Sequence, residues 1–130
     1  MTLVIVVILA ALAYPSLQGQ TIRGRRTEAI ANMLALQHAQ EKWRGGHPFY
    51  ADLVQLNQPA QTANGYYQLD IEAVTATSYV LTATASGSQA QDKICAVLKL
   101  SVSSGEALMS SGANGSANNQ DAPNRRCWNL

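Results

Sequence analysis

No charged side chain occurs before Arg23, and residues Leu3 to Tyr14, LVIVVILAALAY, form an unbroken apolar run. A run of this kind must leave water. That limits the chain to folds in which an N-terminal helix lies in a bilayer or against other apolar helices. A bilayer core takes ~20 apolar residues at a rise of about 1.5 Å each. The dense run alone is shorter than that, and with its uncharged flank Pro15 to Ile22 it just reaches. A cleaved export signal is the competing reading, because Ala11-Leu12-Ala13 resembles a small-residue cleavage site. The basic region that precedes the apolar part of such signals is missing here.

Beyond the run the chain reads as one domain. A length of 130 residues with 47% hydrophobic content suits one globular unit plus one apolar segment. The formal charge of +1 lacks the strong basic excess of a dedicated nucleic-acid module, while leaving room for local basic patches. Cys95 and Cys127 are an even pair in a chain that opens with an export-like segment, which favours a disulfide in an oxidising compartment over two buried thiols.

From Thr27 the periodicity is helical. Ala29, Met33, Leu36, Gln40 and Trp43 share one stripe, with Ile30 and Leu34 beside it. The economical reading is one long helix from about Thr2 to Arg44, loosened near Pro15 and Gly19 and closed by Gly45-Gly46. After the irregular stretch His47 to Asn64, three alternating segments follow. They are Tyr67-Leu69-Ile71-Ala73, Tyr79-Leu81-Ala83-Ala85 and Ile94-Ala96-Leu98-Leu100-Val102. Short connections make them an antiparallel meander whose apolar face can cover the helical stripe. Ser103 to Asn124, rich in Ser, Gly, Asn and Ala, reads as a loop enclosed by the cysteines.

The order of apolar start, AYPS, Arg23-Gly24-Arg25-Arg26, EAIANMLALQHAQEKW, Tyr50-Ala51-Asp52-Leu53, ATSYVLTATASG, QAQDKICAVLKLS and Cys127-Trp128 resembles the type IV pilins, with the PilE-like minor pilins nearest. The resemblance implies an α+β type IV pilin fold: a long N-terminal helix on a four-stranded antiparallel sheet, with a last strand including Glu106 to Ser110 and a C-terminal disulfide loop. It implies residues 1–24 as the membrane and filament-core half of the helix and 25–130 as the periplasmic or extracellular domain. Leu3, Val6, Val7, Leu9, Leu12, Tyr14 and Pro15 would face membrane or filament neighbours. It implies a structural minor subunit, held singly in the inner membrane of a bacterium before assembly. Its partners would be other major and minor pilins and the inner-membrane assembly machinery, and its roles pilus assembly, adhesion or twitching motility. Family members are processed after a glycine and carry a glutamate near the mature start. Neither stands here, so the reading frame is expected to begin upstream, where about seven more apolar residues would complete a span.

Other chemistries find less in the sequence. His38, Glu41 and His47 are near one another, but their spacing fits no common metal site, and no catalytic or cofactor motif is present. Asn114-Gly115-Ser116 matches a glycosylation sequon within a loop-like composition. Two alternatives to a structural subunit stand: a type II secretion pseudopilin, which the disulfide loop and the ATSYVLTATASG strand argue against, and a DNA-binding minor pilin for natural transformation. For the second, Lys93, Arg125, Arg126 and Trp128 are candidate contacts, cations for phosphates and an aromatic for a base.

Overall fold

The computed structural model describes residues 2–113 and 115–130; for residues 2, 3 and 11–16 it describes the course of the helix and not the side chains. The expectations on Leu3, Leu12, Tyr14, Pro15 and Asn114 therefore lie outside what is described. Helix α1 runs from Thr2 to Arg44, and its 43 residues make it about 65 Å long. Gly45 and Gly46 end it, donating backbone hydrogen bonds to the carbonyls of Glu41 and Trp43. Arg44 holds that end in place by donating to the carbonyls of Ala76 and His47.

Four strands follow: β1 Tyr67–Glu72, β2 Ser78–Ala85, β3 Val97–Ser103 and β4 Glu106–Gly112. They pair antiparallel in chain order, β1-β2-β3-β4. Alternation sends one side chain in two to the helix side, so that Leu69, Ala83 and Leu98 form one inward row and Ile71, Leu81 and Leu100 the next. Ala29, Met33, Leu36 and Gln40 of α1 are at most 4% exposed against that face, and Ile30 packs at its margin. The stripe is thus the half of the core that the helix supplies. Gln40, polar in an apolar row, is satisfied there: its Nε2 donates to the Ala51 carbonyl (2.6 Å) and its Oε1 accepts from the Ala51 amide (2.9 Å). Both hydrogen-bonding ends of the amide are used, which removes the desolvation cost of burying it.

Several expectations are corrected. Leu34 is 47% exposed, outside the sheet-facing stripe. Ala73 adopts φ +50° and ends β1 instead of extending it. Strand β3 begins at Val97, and Ile94, expected in its inward row, precedes it and is exposed. The segment whose composition reads as a loop, Ser103 to Asn124, contains β4, where the family resemblance placed a last strand including Glu106 to Ser110, and the start of a second helix, α2 Asp121–Cys127. Ser104 (φ +51°) and Gly105 (φ +84°) close the β3–β4 hairpin as a two-residue turn, a conformation that glycine takes without strain. Gly112 is required for another reason: a Cβ there would overlap the Ser116 carbonyl, where the following loop folds back on the strand.

Before Gln18, the described side chains of α1 are exposed. Val4, Ile5, Val6, Val7, Ile8 and Leu9 are each 55–64% exposed, and so is Leu17. Among the described residues no helix is long and apolar enough to cross a membrane. The two faces of α1 separate cleanly in a test of stability. Met33→Ala should cost about 2–5 kcal/mol, as buried Met-to-Ala truncations do, whereas Leu34→Ala should stay within about 1 kcal/mol. Urea unfolding of a fragment beginning near Arg25 reads both.

Candidate functional site

The disulfide joins Cys95, just before β3, to Cys127 at the end of α2, across 32 residues and a Cα separation of 5.4 Å. Closing a loop of this length stabilises the fold by about 3–4 kcal/mol in the chain-entropy account. Around it, asparagines fasten the C-terminal segment. Asn119 Nδ2 donates to the Ile94 carbonyl, and Asn124 accepts from Ser111 Oγ and donates to the Met109 carbonyl. Asn129 Nδ2 reaches α1, donating to the Arg23 carbonyl and Thr27 Oγ1. Helix α2 is therefore pinned between the edge strand β4 and the long helix.

That placement brings together cations more than 95 positions apart in the chain. Gly19, Arg23 and Arg26 of α1 and Ala122, Arg125 and Arg126 of α2 line one open cleft of about 560 Å³, with Leu130 at its lip. The arginines differ in what they already hold. Arg26 forms a bidentate pair with Asp92, Nε to Oδ2 at 2.5 Å and Nη2 to Oδ1 at 2.9 Å, in which the carboxylate is nearly buried. Its fork is filled. Arg23, Arg125 and Arg126 are exposed, and among the described residues the Arg26–Asp92 pair is the one ion pair formed. Three uncommitted guanidinium groups around one concavity can grip an anion such as a phosphate through several donors.

The predicted contacts fare unequally. Arg125 and Arg126 line the cleft; Lys93 is exposed and does not. Trp128 is 3% exposed, its Nε1 donating to the Ser110 carbonyl, so its ring is core and offers no face to a base. Arg23, which follows the apolar run in the chain, joins Arg125 and Arg126 in the cleft, a meeting that no local sequence feature signals. Arg25 donates to Ser88 Oγ and lies over the Tyr66 ring at 4.2 Å. His47 stacks on Trp43, ring centroids 3.7 Å apart, and its Nδ1 donates to the Trp43 carbonyl. His38 and Glu41 are exposed, and among the described residues no group of His, Cys, Asp or Glu is arranged to hold a metal.

The connection from β2 to β3 holds the α1 side of the cleft. Beyond Asp92, Gln89 Nε2 donates to the Ile22 carbonyl and to the Tyr67 hydroxyl. Burial pushes the Tyr67 phenol up to about 12, with Asp92 adding to the rise and Gln89 opposing it. Burial raises Tyr79 further, and among the described residues its hydroxyl has no hydrogen-bond partner.

Residues 15–99 match a family model described as type IV minor pilin ComP, DNA uptake sequence receptor. No curated protein matches the chain.

Two outcomes follow from this geometry. Cys127→Ser should lower stability by about 3–4 kcal/mol, read as a fall in melting temperature equal to that produced by reductant on the parent. The pH response comes from the tyrosines. A folded-state pKa raised above the ordinary value means that the folded chain holds its proton longer. Stability is then whole below about pH 10 and is lost as pH rises through 12, by up to about 1.4 kcal/mol per unit for each tyrosine. Tyr79→Phe should shrink that loss at little cost near neutrality, which denaturant midpoints across the range would show.

Proposed function

We propose, from the premise that the chain belongs to the type IV minor pilin ComP family, that it works as a filament subunit that assembles through the free half of its long helix. The exposed apolar row from Val4 to Leu9, with Leu17, carries this reading. A contiguous apolar surface on one helix, continuous with a well-packed domain, requires a partner surface as apolar as itself. Residues 1–24 would lie first in the inner membrane, with the domain of residues 25–130 on its periplasmic side. They would then lie in the core of the pilus against the same segments of neighbouring pilins, so that Leu3, Val6, Val7, Leu9, Leu12, Tyr14 and Pro15 contact membrane or filament. Such a subunit acts by packing and binding, and no chemical step is assigned to it. Adhesion and twitching motility would be consequences of the filament it helps to build.

A second reading, receptor for extracellular DNA, is favoured by the family's description and by the gathered arginines Arg125 and Arg126. Phosphate contacts of this kind are sequence-independent and weaken with salt. The two readings part in one experiment. Val7→Asp should abolish incorporation into pili while the folded domain keeps its stability, counted by pilus shearing and immunoblot; normal incorporation would refute the filament reading. Arg125→Ala with Arg126→Ala should leave pilus number unchanged. If the domain binds DNA, the same double variant should lower the salt slope of binding by up to about two and reduce DNA uptake.

A further inference from the structure

The arginine cleft sits at a particular height on α1. Arg23 is six residues beyond Leu17, the last exposed apolar side chain of the free half, and therefore about 9 Å further along the axis. Helical side chains lean back toward the N-terminus, which lowers the Arg23 guanidinium toward the apolar half. The headgroup layer of a bilayer occupies about 5–8 Å beyond the hydrocarbon on each side. If the apolar half is immersed, the cleft is at phosphate level. Its lining is amphipathic: three uncommitted guanidinium groups together with Leu130, 72% exposed. A phospholipid, with a phosphate and acyl chains in one molecule, meets both kinds of surface, whereas a nucleic-acid backbone has no use for the leucine. The near-neutral chain also has little long-range pull on a polyanion, while a membrane-held subunit meets lipid phosphates at high local concentration.

We infer that the cleft formed by Arg23, Arg125 and Arg126 is a binding site for the phosphate of an anionic phospholipid, which seats the globular domain on the membrane surface before assembly. The inference rests on the reading that the apolar half of α1 enters a bilayer. The site is preorganised, because the disulfide, the Trp128–Ser110 hydrogen bond and the Asn129 bonds to α1 fix α2 before any ligand arrives. Arg26 is a positioning residue there, since its fork is taken by Asp92.

The test uses the full chain in nanodiscs of phosphatidylcholine, with and without phosphatidylglycerol, and follows amide hydrogen exchange over residues 121–129. Phosphatidylglycerol should slow exchange about tenfold, raised salt should reverse the effect, and Arg23→Gln combined with Arg125→Gln and Arg126→Gln should remove it. Lys42→Gln, a cation on α1 outside the cleft, should leave it intact. Equal exchange in both discs, with the chain inserted, would overturn the lipid site and leave the anchoring reading standing. Failure of the chain to enter either disc would overturn both. Slowing by a short DNA duplex in phosphatidylcholine discs, matching that by phosphatidylglycerol, would assign the cleft to DNA and overturn the lipid assignment.

Discussion

Burial of one stripe of α1 against one face of the sheet is the interaction on which everything else in the domain depends. Met33, Leu36 and the large inward residues Leu69, Ile71, Leu81, Leu98 and Leu100 each contribute about 1.5–3 kcal/mol on removal from water, and this apolar contact decides whether the domain exists. The polar ties decide how it is set. Arg26–Asp92, Gln40–Ala51 and Glu28–Asn64 add little net energy, because each bond replaces bonds to water. They do fix the height and rotation of the helix on the sheet. Without them an apolar stripe could slide by a turn at modest cost.

The type IV pilin fold was legible in the sequence wherever a period was strong and local. The helical stripe and the alternations of β1 and β2 lie where the side chains are large and the pattern is unbroken. β4 was nearly silent, because Ala107, Ser110, Ser111 and Gly112 carry too little hydrophobic contrast, and its sign was the Ser104-Gly105 turn. α2 was hidden by its Ser/Asn/Gly-rich approach and by Pro123 within it. Leu34 and Ile94 misled for the same reason: apolar residues at the edge of a pattern are assigned inward by periodicity, and periodicity does not know how wide the partner face is.

The candidate site was less legible than the fold. Arg125 and Arg126 were marked by their place beside a cysteine, but nothing local connects them to Arg23. Their meeting depends on a disulfide and on two asparagine bonds made by Asn129, all at long sequence separation. Trp128 shows the opposite error. A terminal tryptophan beside arginines reads as a recognition element, yet its ring is buried and its Nε1 is spent on the Ser110 carbonyl. A net charge of +1 likewise averages away a cleft in which basic groups are concentrated.

The ties along α1 have a mechanical consequence. They are spaced over its second half, from Ile22 held by Gln89, through Arg26, Glu28 and Gln40, to Arg44 on Ala76, and they reach three different connections of the sheet. A tensile load entering along the helix axis is therefore borne by all of them side by side, in shear, and not by one bond after another as in peeling. Rupture then requires many bonds to fail together. A fibre drawn lengthwise can transmit force through such a domain while the sheet keeps its register.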